Sequence, residues 1–314
     1  MAISIISQKK ELLGTVIEIK LPQQHSSLFS SCFEELERIE KTYSRFLDNS
    51  VLSKLNTKLN EWQPISDELI YLIESALEFN RKTQGNFDVT LKSKLDELGY
   101  DKNYTFERKE TVQQNDNATL KSPLLKNTIE KIKNKIQVQK PIELERKNSK
   151  LLLRKEIEFG GFGKGFALDK VADILDSEDI DHYYINAGGD VFAKRGQNEE
   201  PWTILLEHPD DTSRAIGTME LDARALACSA PNRRKWKEYH HLLNAQSGMP
   251  SIGVKAIYLV AKLGIQADAY ATGIFTAGFE QGIELSKQLP VEMLMVSSEN
   301  KMYQSPGFKV ELYY

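Results

Sequence analysis

Cysteine is scarce: the 314 residues carry two, Cys32 and Cys228. Two thiols cannot build a disulfide framework, and neither has a partner at metal-ligand spacing, so no structural zinc site is expected. An excess of one charge is also missing. Lys and Arg number 41 against 45 Asp and Glu, a formal net charge of -4. Nothing in that balance draws the chain to nucleic acid, and no nucleic-acid partner is expected. There is no apolar run of about eighteen residues, so no membrane-spanning helix is expected. The opening residues 1–21 lack a basic start followed by a long apolar core and a small-residue cleavage site. The expectation is therefore a cytoplasmic chain, with an exported one whose leader has been removed as the alternative. No internal repeat is evident.

What is present suits a globular protein: 40% apolar and 27% charged residues in a chain long enough for a full core. One domain over residues 1–314 is expected. Ile17, Ile19 and Leu21 alternate with Glu18 and Lys20, which predicts a strand. Helical spacing runs from Ser30 to about Tyr43 and from Asp67 to Thr83. Residues 101–123 are polar and predict a mobile insertion. Strand-like segments follow at Ile136–Val138, Ile142–Leu144 and Leu151–Leu153. Beyond them come a helix from Phe166 to about Leu175, ended near Ser177, strands at His182–Ala187, Trp202–Glu207 and Ala215–Leu221, and helices at Ala267–Gly278 and Gln281–Leu289. Met293–Val296 and Phe308–Tyr313 predict a terminal strand pair. Strands and helices mix without a regular β-α-β rhythm, so the predicted class is α+β, with mixed or antiparallel sheets and packed helices.

Four segments hold residues suited to chemistry. Glu158-Phe-Gly-Gly-Phe-Gly-Lys-Gly-Phe-Ala-Leu-Asp169 wraps glycines around Lys164 and opens a helix. Gly165 follows the lysine where a Walker loop needs Ser or Thr, and the glycine spacing is not that of a dinucleotide fingerprint. The loop is either an anion cradle at a helix N-terminus or a tight turn with a surface lysine. Asn186-Ala-Gly-Gly-Asp190 follows a buried strand and reads as a ligand-facing backbone or as a turn. In Ala267-Asp-Ala-Tyr-Ala-Thr272, Asp268 and Thr272 are four apart and share a helix face. A carboxylate and a hydroxyl together suit a hard cation, and equally an Asp that caps and a Thr that bonds its own backbone. In Tyr239-His-His-Leu-Leu-Asn-Ala-Gln-Ser-Gly-Met-Pro250 the adjacent histidines point to opposite faces of a strand. Upstream, Asn232-Arg-Arg-Lys-Trp-Lys237 reads as a phosphate-contacting or a solvated basic cluster.

The order of these motifs resembles the ApbE family of FAD:protein FMN transferases over nearly the whole chain. Gly14-Thr15 resembles the family's Met-Gly-Thr. Thr42-Tyr-Ser-Arg-Phe46 with Ser50-Val-Leu-Ser-Lys-Leu-Asn56 resembles Thr-Tyr-Ser…Ser-x-Leu-Ser-x-Leu-Asn. Gly85-Asn-Phe-Asp-Val-Thr90 is similar to Gly-x-Phe-Asp-Pro-Thr, and the glycine loop to Asp-Leu-Gly-Gly-Ile-Ala-Lys-Gly-Tyr-Ala-Val-Asp. Asn186–Asp190 and Ala267–Thr272 are similar to Asn-Leu-Gly-Gly-Asp and Ala-Asp-Ala-Leu-Ala-Thr.

The resemblance implies an ApbE-like flavin transferase fold and Mg²⁺-dependent transfer of FMN from FAD to a Ser or Thr hydroxyl of an acceptor flavoprotein, with release of AMP. FAD pyrophosphatase activity, giving FMN and AMP, and a non-catalytic flavin-binding role are the alternatives. It further implies Asp268, Thr272 and the Gly163 carbonyl as metal ligands. Leu13, Tyr43, Asn86, Phe87, Asp88, Glu158, Lys164, Asp169, Gly188, Gly189, Asp190, Ser247 and Gly248 are implied around FAD. His241 or Asp268 is implied as the base near the acceptor hydroxyl. The chain departs from the family pattern at Ala227-Cys-Ser-Ala-Pro-Asn-Arg-Arg234, where Ala-Thr-Ser-Gly-x-Tyr is usual, and at Asn244, where Asp is usual.

Overall fold

Alternation along the strands decides the layering. In Val254–Ala261, Ile257, Leu259 and Ala261 join one buried cluster while Ala256, Tyr258 and Val260 join another. A strand buried on both faces belongs in the middle layer. By contrast Thr15–Pro22 buries Ile17, Ile19 and Leu21 on one side and leaves Val16 exposed on the other. That strand lies toward an edge, where only one face is covered.

The computed structural model describes residues 3–108 and 144–313. Its central sheet has eight strands, in the order Ile5–Leu12, Thr15–Pro22, Tyr183–Ala187, Asp190–Lys194, Arg224–Ser229, Val254–Ala261, Glu292–Ser297 and Met302–Gln304. Every neighbouring pair is antiparallel. One face packs on the helices Leu28–Tyr43, Gly163–Ser177 and Gly264–Ala277 through the larger apolar cluster. The other face meets a three-stranded sheet of Trp202–His208, Asp211–Leu221 and Glu311–Leu312 through Leu206, Met219 and Phe308. The architecture is α+β with antiparallel sheets. Among the described residues no helix is long and apolar enough to cross a membrane.

Three details differ from the sequence reading. The first strand is a hairpin, because Leu13 and Gly14 both take positive φ (56° and 69°) and turn the chain between Leu12 and Thr15. The terminal strands do not pair with each other. Glu292–Ser297 pairs with Met302–Gln304, while Glu311–Leu312 pairs with Asp211–Leu221. The glycine-loop helix starts at Gly163, not Phe166. The strand expected at Ile136–Val138, most of that at Ile142–Leu144 and most of the insertion at 101–123 lie outside the described residues.

Two helices meet at backbone contact, and this positions the site. A Cβ added to Gly165 would lie 2.1 Å from the Gly264 carbonyl oxygen, and one on Gly264 would lie 2.4 Å from that of Gly165. Neither glycine has a positive φ. Close approach, not backbone conformation, requires glycine at both places. The N-terminal turns of the two helices are thereby held together, with Lys164 beside Asp268.

Candidate functional site

A cavity of about 860 Å³ opens over this helix pair. Its wall includes Leu13, Tyr43, Asn86, Phe87, Asp88, Glu158, Gly163, Lys164, Gly188, His241, Asp268 and Thr272. The volume lies in the upper part of the ordinary range for small-molecule pockets.

At its floor Lys164 Nζ lies 2.9 Å from Asp190 Oδ2 and 3.3 Å from Asp268 Oδ2. Asp268 also accepts the Gly165 N–H at 3.1 Å, and Asp190 accepts that of Cys228 at 2.9 Å. Burial alone would lower the Lys164 ammonium, but the Asp190 and Asp268 carboxylates outweigh it and hold the lysine charged. Burial pushes the Asp268 carboxyl up to about 6; Lys164 pulls it down and Asp190 pushes it further up. With all three groups ionised the cluster carries one excess negative charge. Buried net charge is costly, so the cluster favours taking up a further positive species.

Thr272, one turn along from Asp268, donates its hydroxyl to the Gly161 carbonyl at 3.2 Å. A Cβ on Gly161 would come within 3.3 Å of the Thr272 side chain, so glycine permits the approach. The loop carbonyl that meets the Asp268/Thr272 face is thus that of Gly161. Gly163 lines the cavity too, but it is the first residue of its helix, and its carbonyl belongs to the helical ladder. Carboxylate, hydroxyl and carbonyl form an all-oxygen donor set of the kind that suits a hard cation. Among the described residues no group of three or more His, Cys, Asp or Glu forms a metal-ligand cluster.

The two histidines separate, but the strand Tyr239–His240 ends before His241, so hydrogen bonding and not alternation divides them. His240 is tied on both nitrogens, Nε2 to the Ser251 carbonyl at 3.0 Å and Nδ1 to the Leu242 N–H at 3.2 Å. His241 faces the cavity, and its buried Nδ1 has no hydrogen-bond partner among the described residues. Burial, with the charges of Arg234, His240 and Lys164, holds His241 well below the ordinary histidine value, so it is neutral at pH 7.

The remaining wall is aromatic and acidic. Tyr43 donates its hydroxyl to Glu68 at 2.6 Å and sets its ring edge on Phe166. Phe87 stacks edge-on against Phe79 and Phe162. Asp88 Oδ1 accepts from the Thr90 N–H and hydroxyl, both at 2.8 Å, which rigidifies the Gly85–Thr90 loop. The Leu13 N–H is held by Glu40 at 2.6 Å. Burial raises the Glu158 carboxyl, against Arg45 and the Gly160 N–H, which lower it.

Five residues of the implied set stand apart from the cavity wall. Asp169 accepts the Gly264 and Ile265 N–H groups at 2.5 and 2.9 Å, capping the helix that carries Asp268. Gly189 is the outer residue of a two-residue hairpin turn; both its φ (107°) and that of Gly188 (67°) are positive, as such a turn requires. Ser247 and Gly248 belong to a turn built on Asn244, whose Oδ1 accepts the Gln246 and Ser247 N–H groups at 3.1 and 3.0 Å. Asp190 lies behind Lys164 and reaches the cavity through it. The sequence reading did not single out Arg45, Tyr100, Tyr104 or Gly161, which do line the cavity. Arg45 lies within the Thr42–Phe46 motif, no local pattern marks Tyr100 or Tyr104, and Gly161 lies in the glycine loop two residues before Gly163.

Comparison with known proteins gives the chain's family and fold relatives. A model of the ApbE family matches residues 13–295. The FAD:protein FMN transferase of Buchnera aphidicola is 24% identical over 97% of this chain and 90% of its own length. That of Haemophilus influenzae is 26% identical over 90% of this chain and 84% of its own. The crystal structure of the ApbE protein of Thermotoga maritima superposes with a TM-score of 0.82 at 25% identity, covering 97% of this chain and 98% of that one. The Vibrio cholerae flavin transferase ApbE shares the fold with a TM-score of 0.79 at 22% identity, over 98% and 99% of the two chains. The chain belongs to the ApbE family.

Proposed function

We infer that the chain is an FAD:protein FMN transferase, and that it moves FMN from FAD to a Ser or Thr hydroxyl of an acceptor protein with release of AMP. The observation that carries this reading is the buried Lys164–Asp190–Asp268 cluster at the floor of a cavity whose wall also holds a neutral His241 with a free nitrogen. The names of the related transferases supply the substrate class.

In the reaction the acceptor oxygen attacks the FMN phosphorus, the bridging P–O bond breaks, and AMP leaves with the electron pair. The acceptor proton passes to a base. His241 suits that role better than Asp268, because its neutral imidazole lines the cavity while the Asp268 oxygens already accept from Lys164 and Gly165. Lys164 is fixed by two carboxylates and presents its charge to the phosphate. Asp268, Thr272 and the Gly161 carbonyl would hold Mg²⁺, which when bound supplies charge neutralisation at the pyrophosphate. Tyr43, Phe87 and Leu13 offer apolar surface, and Asn86, Asp88 and Glu158 polar contacts, for the flavin nucleotide. Asp169, Ser247 and Gly248 act on the site through the elements they brace.

Incubation with FAD, Mg²⁺ and an acceptor protein tests the reading by mass spectrometry. An FMN-sized addition to the acceptor supports transfer. Release of FMN without any adduct indicates pyrophosphatase activity instead, and FAD that survives intact rejects both.

A further inference from the structure

Four basic side chains line the cavity, and three of them are already neutralised. Arg45 pairs with Asp96 at 2.8 Å and donates to the Tyr100 carbonyl at 2.6 Å. Lys164 has Asp190 and Asp268. Arg233 forks onto Glu207, with Nε 3.2 Å from Oε1. The fourth, Arg234, forms no hydrogen bond or ion pair through its guanidinium among the described residues. We propose that Arg234 is a phosphate-binding residue of this site, and that it donates to the pyrophosphate oxygens of the bound dinucleotide.

Arg234 sits where that role requires. Its side chain lines both the main cavity and an adjoining recess of about 320 Å³, bordered by Gly14, Tyr104 and Phe106. Its backbone is fixed: the Arg234 N–H is bonded to the Pro231 carbonyl at 3.0 Å. Two residues on, the Trp236 indole N–H is anchored to the Leu98 carbonyl at 2.9 Å. Arg234 is half-buried and lies beside the cavity without a carboxylate partner among the described residues. An anion restores the balance, and the planar fork of arginine matches phosphate oxygens two at a time. The Arg234 charge is also felt at His241, Lys164 and Glu158, which places it among the reacting groups.

The assignment rests on the transferase reading above.

The test compares wild type, Arg234→Gln and Arg234→Lys by fluorescence titration with FAD and, separately, with riboflavin, which has the ring but no phosphate. Both titrations are run with EDTA, so binding is read without turnover. Arg234→Gln is expected to weaken FAD binding at least tenfold and to change riboflavin binding less than twofold, with Arg234→Lys intermediate for FAD. In the Mg²⁺-loaded enzyme, methylguanidinium is expected to restore part of the turnover lost by Arg234→Ala. Equal loss for FAD and riboflavin, or unchanged FAD affinity in Arg234→Gln, overturns the proposal. A wild type that binds FAD but neither transfers nor releases FMN rejects the transferase reading alone, since the FAD-to-riboflavin comparison still judges Arg234.

Discussion

Asp169 gives the sharpest division between a contact with ligand and a structural support. Its carboxylate accepts two N–H groups, from Gly264 and Ile265, at the start of the helix that carries Asp268. Both donors are buried, and no solvent replaces a lost acceptor there. Replacing Asp169 by Ala leaves two orphaned donors, each costing roughly 1–3 kcal/mol, against which stands relief of the carboxylate's own burial. The net loss is expected to be about 2–3 kcal/mol, somewhat above the loss of an ordinary helix cap. For a chain of 314 residues that lowers the unfolding midpoint by roughly 3–5 °C. Calorimetry or circular dichroism reads the midpoint, and fluorescence titration reads FAD affinity, expected to stay within threefold. A tenfold loss of FAD affinity with an unchanged midpoint would refute the capping argument and return Asp169 to the ligand.

The same residue predicts a pH dependence. Burial raises the Asp169 carboxyl from an ordinary 3.8 to about 6, although the two N–H groups pull it down. Between about pH 4 and pH 6 the folded chain therefore holds a proton that the unfolded chain has released. Stability contributed by this group is full below about pH 4 and is lost as pH rises through 6. Asp169→Asn keeps an acceptor oxygen and cannot titrate. Its unfolding free energy is expected to lack that decline, and to stay within about 1 kcal/mol of wild type at pH 7. An identical pH profile in the two proteins would count against the burial account.

Other substitutions separate chemistry from framework. Asp268→Asn is expected to reduce FAD turnover by about 10² or more while the unfolding midpoint stays near wild type, because Lys164 keeps Asp190 and Asn retains an acceptor for Gly165; turnover within threefold of wild type would remove Asp268 from the chemistry. His241→Ala should cost transfer about 10²–10⁴-fold. Since His241 works as the neutral form and is held well below 6.5, the rate of the unaltered enzyme should not decline until pH is well under 6.5, and a midpoint at or above that value argues for another base. Gly165→Ala places a methyl 2.1 Å from the Gly264 carbonyl oxygen, so soluble yield and the unfolding midpoint should both drop sharply; a variant of normal stability would mean that the helices slide apart without cost.

Much of the site was readable because its parts obey local rules. The alternation of Ile17, Ile19 and Leu21 marks a half-covered strand, and the four-residue spacing of Asp268 and Thr272 puts them on one face. What stayed hidden depends on where an element begins or on partners far along the chain. The helix expected from Phe166 starts at Gly163, and the loop carbonyl that Thr272 reaches is that of Gly161. The Leu13–Gly14 turn escaped notice because leucine rarely takes positive φ; here Glu40 holds its N–H from the helix Leu28–Tyr43. The sequence places two histidines side by side, but only Ser251 and Leu242, folded onto His240, decide which one is left for the cavity.

The glycine loop that looks like an incomplete phosphate cradle divides its glycines among different tasks. Gly165 lets one helix touch another, and Gly161 lets a carbonyl reach Thr272. Neither task needs a Ser or Thr after Lys164, because the hydroxyl and the carboxylate of the site come from the second helix. The consequence is that positions along this helix contact couple stability to activity, whereas the Pro231–Arg234 wall does not. A change at Gly165 or Gly264 should damage both, for it separates Lys164 from Asp268 as it opens the contact. A change at Arg234 removes a charge from a side chain with no hydrogen-bond or ion-pair partner among the described residues, so the fold there loses nothing that it had formed. The departure from the family pattern at Ala227–Arg234 is therefore of two kinds: Ala227–Ser229 lie in the central strand Arg224–Ser229, whereas Arg234 stands where the chain can alter what it binds at little cost to its fold.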